Sequence, residues 1–204
     1  MSKTNYAETL YEKLWKTKGA RFIAHKRLER VNQLSILAVA LNSVYVIIAS
    51  LLSIKPFSDY SKLTPEYLSL LTIFLSLIII VLSLIESSKN YKAKANSLHQ
   101  CGKDLNRLYE RLSQIKDRYE EDSVRMEIEQ LGNNYQEVID KYPENHSSID
   151  FDLFVASDKE LTKDWKEPYL TKLKIWLMIE VPYYLAILLP IGLLFFNVKY
   201  RNNG

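Results

Sequence analysis

The chain has 204 residues, a net charge of +3 and 25% charged residues, and its mean hydropathy of −0.14 resembles that of a soluble protein. The basic excess is too small and too mixed with acids to build a nucleic-acid surface, so no direct nucleic-acid binding is expected. One cysteine, Cys101, excludes an internal disulfide.

The averages conceal two runs without a charged residue, Leu34–Ile54 and Leu68–Ile85, and a third apolar run, 175–198, interrupted by Glu180, Pro182 and Pro190. Each of the first two is about long enough to cross the ~30 Å hydrocarbon core of a bilayer as a helix. The expected fold is an all-α membrane protein: a two-span transmembrane helical hairpin, a cytoplasmic helical, coiled-coil-like bundle, and a third C-terminal span. With this much chain in lipid, little remains for an independent catalytic domain.

Residues 1–33 are expected to form amphipathic N-terminal helices. Tyr6, Leu10 and Leu14 recur every four residues, and Gly19 is expected to end this first helix, with a second starting near Ala20. The apolar run begins too late and is too long for a cleavable signal, so it reads as a retained anchor. The hairpin then occupies 34–85, with spans 34–54 and 68–85. In the linker, Pro65 follows Thr64, a capping residue, so the second helix is expected to start there. Basic residues flank the hairpin: Lys13, Lys16, Lys18, Arg21, Lys26, Arg27 and Arg30 before it, Lys89, Lys92, Lys94 and Lys103 after it. The linker carries only Lys55 and Lys62. By the positive-inside rule, the N-terminus and residues 86–174 of this multi-pass protein lie in the cytoplasm and the linker lies outside.

Residues 86–142 read as a helical hairpin. Leu98, Cys101, Leu105, Leu108, Leu112, Ile115 and Tyr119 make one heptad seam, and Val124, Ile128, Leu131, Tyr135, Val138 and Tyr142 make another after a break at 120–123. No stop signal is evident after the second span. A helix unbroken to Tyr119 would be roughly 75–80 Å long. Antiparallel packing within the chain explains both seams, and an intermolecular coiled coil is the alternative. Residues 143–174 read as irregular, with caps for a short helix or two and with Phe151, Leu153 and Phe154 available to dock on the bundle. Trp165, Tyr169 and Trp176 suit an interface where the chain returns to the bilayer at 175–198. Glu180 reads as interfacial, since a deeper carboxylate would need a partner. Residues 199–204 form a tail.

The spans carry polar stripes. Ser35, Ala38, Asn42, Tyr45 and Ala49 share one face of the first, and Ser69, Thr72, Ser76, Ser83 and Glu86 one face of the second. Small and hydroxyl residues at this spacing serve helix packing or, in an assembly, line a water-filled path. Asn42, near mid-span, favours contact with a partner or water. No catalytic, metal or cofactor-binding residues are assigned, and no cofactor is expected. His25, His99 and His146 are far apart in sequence, His99 and Cys101 lack further ligands for zinc, and His146, Ser147 and Asp150 fit helix capping better than a triad.

The stretch AETLYEKLWKTKGARFIAHKRLERVNQLSILAVALNSVY, followed by the hairpin and the helical region, resembles the SLATT family of small two-span bacterial effector domains. Arg21-Phe22, Ala24, Lys26-Arg27-Leu28 and Ser35 carry most of the likeness, with Asn145-His146, Asp150 and Phe151 adding to it. The C-terminal run is similar to the fifth subfamily. The resemblance implies an effector of an anti-phage defence or conflict system that oligomerises and opens a pore in the inner membrane. It also implies a sensor protein or nucleotide second-messenger system encoded nearby, because no fused sensor is evident. Homo-oligomerisation and a lipid bilayer are the expected associations. A membrane-anchored helical scaffold that recruits a cytoplasmic partner, without pore activity, is the alternative.

Overall fold

The computed structural model describes residues 6–54, 63–158 and 166–202. Lys55, Pro56, Lys62 and Trp165 therefore lie outside the described residues. All regular elements among the described residues are helical: α1 (Tyr6–Leu52), α2 (Pro65–Lys89), α3 (Tyr91–Ile115), a 3₁₀ turn (Lys116–Arg118), α4 (Asp122–Lys141), α5 (Ser148–Ser157), α6 (Glu167–Ile175), a π turn (Trp176–Glu180) and α7 (Val181–Asn202). Among the described residues, three helical stretches are long and apolar enough to cross a membrane. The chain divides into a polar unit, residues 1–29 and 92–173, and an apolar unit, residues 30–91 and 174–204.

In the polar unit, Ala7, Leu10 and Leu14 of α1 share one core with Cys101, Leu105, Leu112 and Ile115 of α3 and Val124, Ile128, Leu131 and Tyr135 of α4. Both heptad seams are thus filled from within the chain. The three-to-four spacing puts each set on one helical face, and the 3₁₀ turn with the bend after it reverses the chain between them.

Two helix boundaries differ from the sequence expectation. Gly19 does not end a helix, because α1 runs unbroken from Tyr6 to Leu52. A Cβ at Gly19 would overlap the ring of Phe154, so the glycine serves the close approach of α5 rather than a stop. Conversely, the helix after the second span is not continuous. Asn90, with φ 47° and ψ 50°, caps α2 in the left-handed conformation, its N–H bonded to the Glu86 carbonyl at 3.0 Å. Asparagine tolerates this conformation better than other residues that carry a Cβ.

The start of α2 follows its sequence signal. Thr64 accepts a 3.3 Å bond from the Tyr67 N–H, and Pro65 occupies the first helical position, where no N–H is needed. The segment 143–158 is more ordered than expected. Ser147 and Asp150 form a reciprocal capping box that starts α5, and Phe154 meets Trp15 edge-on at 4.9 Å.

In the apolar unit, large side chains face outward. Leu70, Ile73, Leu77, Ile80 and Leu84 of α2 are each more than half exposed, as are Ile36, Ile47 and Leu51 of α1 and Leu185 and Leu188 of α7. Water does not tolerate apolar surface of that extent on a stable protein, whereas hydrocarbon does. The π turn has a local cause. Pro182 has no N–H and its ring would crowd the carbonyl four residues back. Just before it, the Val181 N–H bonds instead to the Trp176 carbonyl, five residues back. Pro190 stays inside α7 with its side chain buried.

Candidate functional site

The polar stripes end up in different environments. On α1, Ser35, Ala38 and Asn42 are fully enclosed and Ala49 nearly so, while Tyr45 is half-buried. What encloses the middle of this stripe is the third span. Val31, Leu34 and Ala38 pack with Tyr183 and Ile187, and the Asn42 amide donates to the Ala186 carbonyl at 3.1 Å as well as to Ala38 at 2.7 Å. The mid-span amide thus has the partner that its cost in lipid demands. Its Oδ1 and the Ser35 hydroxyl, two turns away on the same face, are buried without a hydrogen-bond partner.

On α2 the buried face is made of Leu68, Leu71 and Leu75. The polar stripe lies beside that face rather than on it. Thr72 and Ser76 are half-buried, Ser69 and Ser83 exposed, and Glu86 half-buried with one carboxylate oxygen unpaired. The hydroxyls of Ser69, Thr72 and Ser76 donate to the carbonyls of Pro65, Leu68 and Thr72 at 2.8–2.9 Å. Each is satisfied within its own helix, which lowers the cost of facing lipid and leaves lone pairs for another partner.

The basic residues also divide. Lys26, Lys89 and Lys94 are exposed, as expected of side chains that orient a membrane protein. Lys92 pairs with Glu29 at 3.2 Å. Arg30 pairs with Glu180 at 2.8 Å and donates to the Tyr184 hydroxyl at 3.3 Å. The carboxylate in the third apolar run therefore has a counterion, which sequence reading left unidentified.

Arg21 and Arg27 depart furthest from a simple basic flank. Arg21 is only 3% exposed. Arg27 grips the fully buried Asp150 carboxylate through Nε at 2.6 Å and Nη2 at 3.0 Å. The same carboxylate accepts from the Ser147 N–H and hydroxyl at 2.9 and 2.7 Å. Burial by itself would raise the Asp150 carboxyl, but the Arg27 and Ser147 bonds outweigh it and hold the group below its ordinary value. His146, Ser147 and Asp150 do not form a triad. Asp150 is committed to the cap and to Arg27, and His146 contributes a half-buried ring beside Phe151.

A second cluster was not visible in the sequence. The His25 and His99 rings lie 4.5 Å apart, Phe22 meets His99 edge-on at 5.9 Å, and His25 Nδ1 is 3.0 Å from the Ala95 carbonyl. Burial first, then the nearby His25 and Lys103 charges, push His99 below the ordinary histidine value. No spacing within either helix signals this contact, because His25 and His99 belong to distant segments of the chain.

Residues that carry the family likeness thus converge. Arg27 from the first segment holds Asp150 from the second. No curated protein and no solved structure matches the chain. A family model does match, over residues 3–196, and its description is SMODS and SLOG-associating 2TM effector domain family 5. That match takes in both units and all three apolar helices, and the chain therefore belongs to the fifth SLATT family of membrane effector domains.

Proposed function

We propose that the chain is a bacterial inner-membrane effector of an anti-phage defence system that assembles into a homo-oligomer and opens a pore on activation. Residues 1–33 and 86–174 are then cytoplasmic, with the basic flanks inside. The trigger reaches the chain as a sensor protein or a nucleotide second messenger produced by a neighbouring system.

One observation carries the reading. The hydroxyl stripe of α2 lies beside the buried leucine face and is left largely uncovered by the rest of the chain, while the α1 stripe is filled by α7. Ser69, Thr72, Ser76 and Ser83 are therefore the groups available to line water between copies, and the α1 stripe is a packing surface within each copy. The back-bonded hydroxyls of Ser69, Thr72 and Ser76 suit both a closed, lipid-facing state and an open, hydrated one, because each keeps its intrahelical bond in either. With neither a charged ring nor a carbonyl filter among these residues, such a pore would discriminate weakly among ions.

The test is Ser76→Leu combined with Ser83→Leu, read as depolarisation of cells expressing the chain at high level. The pair is expected to abolish depolarisation while membrane insertion and the detergent-solubilised assembly stay intact. Unchanged depolarisation in that background would remove the α2 stripe from the pore. A membrane-anchored scaffold is the second reading. It is favoured by the fact that Ser69, Thr72, Ser76 and Asn42 already find acceptors inside the chain. An intact wild-type protein that leaves the membrane potential untouched would favour that reading.

A further inference from the structure

Pro190 lies inside α7 with its ring fully buried. A proline has no N–H to give to the carbonyl four residues back, so the Ala186 carbonyl loses its partner within the helix. An unpaired carbonyl is costly away from water, and here another span fills it: the Asn42 amide donates to Ala186 at 3.1 Å. Asn42 and Pro190 are therefore matched across the apolar unit, one supplying the donor that the other withholds.

The seam around this bond is lightly held. It brings Ser35, Ala38 and Asn42 of α1 against the side of α7 that carries Tyr183 and Ile187. No hydrophobic force drives two helices together in lipid, so closure rests on packing and on the bonds that cross the seam. Besides Asn42 with Ala186, these include Arg30 with Glu180 at 2.8 Å and with the Tyr184 hydroxyl at 3.3 Å. The Arg30 side chain is 57% exposed, so this end of the seam lies within reach of solvent or a partner. Closure also has a standing cost. Ser35 Oγ and Asn42 Oδ1 are buried without a hydrogen-bond partner, and water would satisfy both. The π turn Trp176–Glu180 and Pro182 interrupt the regular backbone ladder where α7 begins, the kind of place where a helix bends.

We propose that α7 is a releasable latch. It docks on α1 through the carbonyl that Pro190 vacates, seals the Ser35–Asn42 stripe, and lets water onto that stripe when it comes away. The pore reading supplies only what the release is for; the docking does not depend on it.

The experiment is thiol labelling of the full chain in native membranes. Ser35→Cys in a Cys101→Ser background puts one thiol in the seam, and a water-borne methanethiosulfonate reads whether water reaches it. Slow labelling is expected, compared with Lys26→Cys at an exposed position. Pro190→Ala restores an N–H that competes with Asn42 for the Ala186 carbonyl. It should speed labelling roughly two- to tenfold, the loss of one hydrogen bond, although alanine is the better helix former. In an Asn42→Leu background the same change should not speed labelling, because no cross-bond remains to lose. Glu180→Gln, which weakens the polar end, should speed it too. The latch is overturned if Ser35→Cys labels as fast as Lys26→Cys, if Pro190→Ala leaves the rate unchanged or slows it, or if the effect is equal with Asn42→Leu. If Pro190→Ala does not insert, Glu180→Gln decides: faster labelling supports the latch and an unchanged rate overturns it. Membrane potential followed in the same cells keeps the two ideas apart, since faster labelling without depolarisation supports the latch and removes the pore.

Discussion

The Arg27–Asp150 pair sets the energetic stakes at the residue scale. Asp150 is fully buried and accepts four hydrogen bonds, two from Arg27 and two from Ser147. Asp150→Ala removes the α5 cap and leaves Arg27 facing an interior without its counterion. The expected loss is about 3–5 kcal/mol of stability, the usual cost of breaking a buried pair from one side. Chemical denaturation of the solubilised chain measures it. Asp150→Asn should cost less, because the amide keeps the shape and one acceptor for the cap. Histidines act in the opposite pH range from this carboxylate. His99 and His146 are pushed down in the folded chain, His99 by burial and neighbouring cations, His146 by burial and Arg21. Near pH 6 the unfolded chain therefore holds more protons at these rings than the folded one, and stability rises with pH there. The melting temperature is expected to fall as pH drops from about 7.5 to about 5.5, across the ordinary histidine range. His99→Phe and His146→Phe should each remove part of that fall. Asp150 adds nothing in this window, since its carboxyl is held low and loses its contribution only in stronger acid.

At the scale of elements, Gly19 separates two effects of opposite sign. In mid-helix, Gly→Ala normally stabilises by about 1 kcal/mol. Here the new Cβ would overlap the Phe154 ring, which packs on Trp15, and overpacking costs roughly 1–3 kcal/mol. Gly19→Ala is expected to destabilise the polar unit, and Phe154→Ala in the same chain should restore the alanine's ordinary benefit. A double-mutant cycle on melting temperature reads the coupling, and additive effects would show that the ring simply moves aside. The same glycine marks how far sequence reading reaches. A glycine that ends a helix and one that admits a neighbouring ring look alike when the neighbour lies far along the chain. Asn90 is the converse: nothing local required a stop, yet its tolerance of a left-handed conformation supplied one. Signals that act within a turn were legible, such as the Thr64-Pro65 start and the Ser147 cap. The seam residues were legible too, because periodicity is local and the burial of one face follows from it. Arg27 with Asp150, Asn42 with Ala186 and Arg30 with Glu180 join distant segments, and no spacing within either segment encodes the pairing. For the same reason the stripes were found but not told apart; only the placement of the third span shows which one is covered.

For the whole molecule, the deciding question is whether the spans act or merely anchor. A chimera in which unrelated apolar helices replace the native ones answers it, provided the exchange respects the packing within the apolar unit. Asn42 bonds to Ala186, and the Tyr67 hydroxyl donates to the Leu193 carbonyl at 3.0 Å. Exchanging the first two spans alone would strand those acceptors and confuse misfolding with loss of function. Spans 34–54, 68–85 and 175–198 must therefore be replaced together, with Arg30 and a glutamate at position 180 both kept so that their 2.8 Å pair survives the exchange. The polar unit is expected to survive, because its core is built from Leu10, Leu14, Leu105, Leu112, Ile128 and Leu131, none of which is exchanged. The Trp15–Phe154 contact offers a fluorescence check that it has. If the native spans form the conducting path, the chimera should insert, keep the polar unit folded and lose depolarisation. Growth arrest should disappear with it. A chimera that still arrests growth without depolarising the cell would assign the activity to the polar unit and its partners. One that still depolarises would place the path outside the α2 stripe altogether.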